Sequence, residues 1–207
     1  MKNPTLPLLA VGLLAAALAA ALPACKRAKA PESIITPDPD VPPPAAVNDF
    51  TMENLVSEFP GHIRSADHAG NPQLVLFFLP DDESCAASIP DWNALQRDYA
   101  PRGFTILGAI PDARPAIALR PLLAALSTVP EFPTGRADSA IIAAFGSPTT
   151  LRVVPTAFLL DSTGAVVRLY QGYVRTEWIR EDLDALLSGD SLPDHTPAGV
   201  LPEDNAA

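Results

Sequence analysis

The sequence predicts a single α/β domain, a central mixed β-sheet flanked by helices with a helical insertion between a βαβ half and a ββα half. Three observations carry this. Leu74–Leu79 and Phe104–Ile110 are continuous apolar runs of strand length joined by one helix-patterned segment. Thr156–Leu160 and Ala165–Tyr170 flank the turn-forming Asp161-Ser162-Thr163-Gly164. A last amphipathic segment starts at Thr176 and stops at Gly189.

Taken in order, Phe50–Phe59 places Met52, Leu55, Val56 and Phe59 at helical spacing ahead of Pro60-Gly61, which predicts a short amphipathic helix. Leu74–Leu79 is apolar without alternation, as a strand covered on both faces requires, so it belongs in the middle of the sheet. From about Ser84 to Tyr99 a helix carries Ile89, Trp92, Leu95 and Tyr99 on one face, with Pro90 expected to bend it. Phe104–Ile110 then lies parallel to the first strand, because one helix between two buried strands makes a right-handed crossover. Ile117–Leu126, although it contains Pro121, and a short helix capped by Asp138 fill the inserted stretch. In the last helix Thr176 is the expected cap. There Trp178, Ile179, Leu183, Leu186 and Leu187 face inward, while Glu181, Asp182 and Asp184 face water.

Outside residues 49–189 the composition changes. Residues 1–24 run from Lys2 through a Leu/Ala-rich stretch to Leu22-Pro23-Ala24-Cys25, the pattern of an export signal. A plain secretory signal or an uncleaved anchor is the alternative. Residues 25–48 hold Pro31, Pro37, Pro39, Pro42, Pro43 and Pro44 with few large apolar side chains, which predicts an extended spacer. Fully extended at about 3.1 Å per residue, it would reach on the order of 70 Å. Residues 190–207 combine prolines with Asp194, Glu203 and Asp204 and are expected to form a disordered acidic tail that includes His195. The formal charge of −10, without clustered Lys or Arg, argues against a nucleic-acid partner.

The stretch Leu22-Pro23-Ala24-Cys25 resembles the lipobox of bacterial lipoproteins. That resemblance implies lipidation of Cys25 and a membrane tether on the outside of the cytoplasm. Lys26, where an aspartate would favour the inner membrane, implies the outer one.

The row Phe77-Phe78-Leu79-Pro80-Asp81-Asp82-Glu83-Ser84-Cys85, followed by Ile89-Pro90-Asp91-Trp92 and Gly103-Phe104-Thr105-Ile106-Leu107-Gly108, resembles the active-site region of the thioredoxin superfamily. The likeness is to the periplasmic thiol-disulfide proteins of the TlpA and ResA type, which read Phe-Trp-Ala-x-Trp-Cys-x-x-Cys. Cys85 falls on the second motif cysteine and Asp82 on the first, so the motif is degenerate, with Glu83 and Ser84 between them. Downstream, Val154-Pro155-Thr156 is similar to the family's Val-Pro-Thr segment. This implies a thioredoxin-like fold, a cis Val154–Pro155 bond, and a groove along Val154, Pro155 and Thr156 that holds an extended peptide or an envelope protein.

Disulfide exchange in such a fold uses an attacking thiolate at the helix N-terminus and a second, resolving thiol. With Cys25 committed to lipid, Cys85 is the one thiol left. Asp82 cannot form a disulfide, but a helix N-terminus stabilises a carboxylate as it would a thiolate. Asp81, Asp82 and Glu83 are expected to raise the Cys85 pKa by like-charge repulsion. A binding or accessory module follows, which would tolerate Cys85→Ser. The alternative, a monothiol oxidoreductase or peroxidase-like enzyme using Cys85, requires a depressed thiol pKa. No cofactor is implied. The consecutive acids lack the alternation of a calcium loop, and His62 and His68 lack a zinc-type partner pattern, so no metal is implied either.

Overall fold

The computed structural model describes residues 33–34, 47, 49–56, 61–146, 150–172 and 175–195. The export signal, Cys25, most of the spacer, and residues 196–207 lie outside these. The strands are β1 (Ser33–Ile34), β2 (Thr51–Asn54), β3 (His62–Arg64), β4 (Gln73–Phe77), β5 (Thr105–Ile110), β6 (Thr134–Arg136), β7 (Thr156–Leu160) and β8 (Val166–Gln171). The helices are α1 (Glu83–Tyr99), α2 (Ala116–Ala124), α3 (Ser139–Ala144) and α4 (Thr176–Ser188). The strands form one sheet in the order β1-β8-β7-β4-β5-β6-β2-β3.

β4 lies in the interior of that sheet, parallel to β5 and antiparallel to β7. Every residue of β4 is buried, because both faces are covered. On one face Leu74, Leu76 and Phe78 pack with Ile89, Trp92 and Leu95 of α1, Leu119 of α2, and Ile179 and Leu183 of α4. On the other, Val75 and Phe77 pack with Met52, Ile141, Phe145 and Phe158. The rings of Phe77, Phe145 and Phe158 meet there with centroids 5.0 to 5.9 Å apart. Helix α1 is tied to its surroundings by polar groups as well. Gln96 Oε1 accepts from the Ile106 N–H at 2.7 Å, and buried Asn93 bridges the Val129 carbonyl and the Glu131 N–H.

Several expectations are corrected. Thr51–Asn54 is a strand, not part of a helix: burial alternates, with Met52 and Asn54 inside and Thr51 and Glu53 outside, and both edges are paired. The apolar spacing also fits a helix, but ladder bonds to β3 and β6 decide the matter. The inserted stretch contains, besides its helices, the strand β6. Its Thr-Gly-Arg sequence has no apolar pattern to announce it. The N-cap of α4 is Arg175, without a side-chain cap bond, and Thr176 is its first helical residue.

The fourth correction concerns Asp182, which is fully buried. It accepts from Arg168 Nε at 3.1 Å and from the Tyr170 hydroxyl at 2.5 Å, and its Oδ1 lies 2.9 Å from His195 Nε2. His195 stacks on Trp178, and Arg168 donates to the Pro193 carbonyl. Residues 190–195 are therefore packed against α4, contrary to the expectation of a tail disordered from residue 190. The spacer likewise contributes β1 to the sheet.

Candidate functional site

The site lies at the C-terminal end of β4, where three segments converge. The chain leaves β4 at Phe77, continues through Phe78, whose N–H donates to the Ala109 carbonyl at 3.2 Å, and turns into α1. Strand β7 begins opposite it, with Thr156 in register with Phe77. The residue before β7 is Pro155, and the Val154–Pro155 peptide bond is cis. The loop after β5, carrying Pro111 and Asp112, is the third wall.

Asp82 is the N-cap of α1. Its backbone is extended, and its Oδ1 accepts from the Cys85 N–H at 2.9 Å, satisfying one of the amides that a helix start leaves unpaired. Glu83 and Ser84 are exposed in the first turn, where Glu83 also suits the positive end of the helix dipole. Cys85 is fully buried in the core that α1 shares with β4. Burial is the largest cause pushing its thiol up to about 12; a backbone hydrogen bond at Leu79 opposes this, and Asp82 and Asp81 reinforce it. Asp82 and Asp81 thus act in the predicted direction, Glu83 does not contribute, and desolvation outweighs both acids.

Arg114 was not among the site residues expected from the sequence. Its guanidinium bonds Asp112 at 2.5 Å and Asp81 at 3.1 Å, joining the loop after β5 to the loop before α1. It holds the Asp112 carboxyl below its ordinary range and offsets part of the negative charge beside the motif. The signal available was only an Asp-x-Arg spacing, whose partner Asp81 is 33 residues away.

Between these loops is a shallow cleft of about 250 Å³ lined by Leu79, Pro111, Ile142, Leu151, Arg152 and Val154. Of the predicted groove residues, Val154 lines it, whereas Pro155 and Thr156 are buried beneath it. Val153 and Ile117 stand exposed nearby in sequence, at 47% and 81%. The walls are apolar and a single cation interrupts them, which suits an extended peptide with apolar side chains.

Among the described residues no three His, Cys, Asp or Glu side chains come together as a metal site would require. Of the two histidines that lack a zinc-type pattern, His62 is exposed in β3, and His68 is half-buried, its pKa lowered by that burial. Cys85 is the one cysteine among the described residues.

No protein-family model and no curated protein matches the chain. Solved structures do. A Chlorobium tepidum protein reported as a thiol:disulfide interchange protein DsbE is 21% identical over 71% of this chain and 99% of its own, with a TM-score of 0.57. A thioredoxin-family thiol:disulfide interchange protein from Chlorobium tepidum TLS is 23% identical over 72% and 99%, with a TM-score of 0.57. A Neisseria meningitidis protein reported as a thioredoxin is 22% identical over 71% and 93%, with a TM-score of 0.55. Likeness at this level establishes the architecture: the domain has a thioredoxin-like fold.

Proposed function

We propose that this chain is an envelope lipoprotein, tethered through Cys25, whose thioredoxin-like domain binds an extended segment of another envelope protein and does not itself run dithiol-disulfide exchange. The observation that carries the reading is the pair Asp82 and Cys85. The position of the attacking thiol holds a helix-capping carboxylate, and the remaining thiol is buried with its pKa at about 12. A thiol in that state is almost wholly protonated at neutral pH and is a poor nucleophile. What remains usable is the apolar cleft beside Val154, which supports a peptide-binding role. The lipid rests on the Leu22-Pro23-Ala24-Cys25 sequence, and Lys26 favours the outer membrane. Among the described residues no helix is long and apolar enough to cross a membrane.

The test is alkylation of Cys85 in the domain, from the spacer to residue 195, across pH and with and without denaturant. The expected result is a thiol that reacts only on unfolding. Fast alkylation of the folded protein with a pKa below 7 would replace this reading with the monothiol enzyme.

A further inference from the structure

Strand β1 belongs to the Pro-rich spacer, yet it pairs with β8, Ser33 opposite Gln171 and Ile34 opposite Tyr170. Gln171 stands opposite Thr156, and Thr156 opposite Phe77, so Ser33 sits at the same end of the sheet as the motif and the cleft. The Gly172 N–H donates to the Pro155 carbonyl at 2.8 Å, fixing the end of β8 against the cis-proline segment. Because β1 is antiparallel to β8, the chain traced backward from Ser33 leaves the sheet over this end and not over the opposite one.

Cys25 is eight residues before Ser33. At most about 3.6 Å per residue, that stretch spans no more than roughly 29 Å, less than half of the reach of an unpaired spacer. It also carries Lys26, Arg27 and Lys29 against the single acid Glu32, a composition drawn toward anionic headgroups.

We infer that the motif end of the domain faces the membrane, with Ser33 held within about 30 Å of the bilayer surface, and that the partner of the cleft is a segment of a membrane-embedded protein. The inference rests on the lipoprotein reading of Cys25. Lipid itself is the poorer occupant: Arg152 is the one charged residue lining the cleft, but in the adjoining loops Asp81, Asp82, Glu83 and Asp112 outnumber it and Arg114 and repel anionic headgroups. The same charges favour a partner segment that flanks its apolar residues with Lys or Arg.

The experiment uses the full lipidated chain in phosphatidylethanolamine/phosphatidylglycerol vesicles, with a fluorophore at Ile117→Cys near the motif end or at Ser162→Cys in the β7–β8 turn at the opposite end. Energy transfer to headgroup-labelled acceptors should be several-fold stronger from position 117. Replacing Ser33 and Ile34 with proline removes the amides that β1 can donate and should level the two signals. Equal transfer from both positions in the unmodified spacer, with the lipid on Cys25 verified by mass spectrometry, would overturn the orientation and leave the lipoprotein reading standing. Absence of the lipid would overturn both. Strong quenching of the position-117 label by lipids brominated in their acyl chains would show the cleft docked on lipid and overturn the choice of partner.

Discussion

Two aspartates of this domain, Asp82 and Asp182, reverse the roles that their sequence contexts suggest. Asp82 occupies the position where the resemblance requires a reactive group, yet its side chain makes one local bond, to the Cys85 N–H, at a half-buried helix start. Asp182 lies among acidic neighbours on a helix face that reads as solvated. It is nevertheless fully buried and is shared by Arg168, Tyr170 and His195. The difference teaches where this fold has retained costly electrostatics. A buried carboxylate persists only when its partners are complete, and the completed set here is structural, fastening α4, β8 and residues 190–195 together. At the motif end no comparable buried network is assembled among the described residues: the thiol is neutralised by burial, Asp81 and Asp112 pair with Arg114, Asp82 caps α1, and Glu83 is exposed.

The sharpest way to break this comparison is Asp182→Ala. It leaves the Tyr170 hydroxyl buried without its acceptor and the partly buried Arg168 without its carboxylate, and should cost about 3–5 kcal/mol in urea denaturation. A loss below about 1 kcal/mol would mean the network is replaceable by water, and the contrast with Asp82 would collapse.

The next effect is pH-dependent and belongs to Cys85. Its folded pKa, about 12, is raised above the ordinary value of 9.0. The protonated thiol is therefore favoured in the folded state, and this contribution is fully present below pH 9. As pH rises from about 9 to about 12 the unfolded chain loses the proton and the folded one keeps it, so stability falls across that window. Cys85→Ala should remove this part of the alkaline decline. Tyr170, whose pKa is also raised by burial and by the Asp182 charge, supplies a decline that the variant retains. Identical alkaline limbs in the two proteins would show that the thiol is not desolvated.

The smallest effect is Asp82→Ala, which deletes one cap bond and should cost about 1 kcal/mol. Chemical denaturation of the variant sharpens the comparison directly. A cost approaching that of Asp182→Ala would give the motif carboxylate a structural weight that its single bond does not explain.

Much of the path to the site was legible from sequence. The apolar run that became β4, the amphipathic pattern of α1, and the turn residues between β7 and β8 each record, within a few neighbouring positions, which faces are covered. The turn is held as its sequence suggests: Asp161 Oδ1 accepts from the Thr163 and Ala165 N–H groups at 2.8 and 3.1 Å, and Gly164 has φ +84°. Asp82 could be read as a cap for the same reason, since capping joins residues three apart.

What the sequence could not fix depends on partners brought from elsewhere. Thr51–Asn54 satisfies a helical spacing and a strand spacing alike, and only the edges offered by β3 and β6 select the strand. The place of β1 on β8 joins residues more than 130 positions apart, with a two-residue strand too short to carry a pattern. The burial of Asp182 is decided by Arg168 and Tyr170 from the preceding strand and His195 from beyond the helix. Periodicity reports how one segment divides between apolar and polar faces. It does not report whether a polar side chain will meet enough donors to leave water, because that desolvation is repaid only by groups that the tertiary fold assembles.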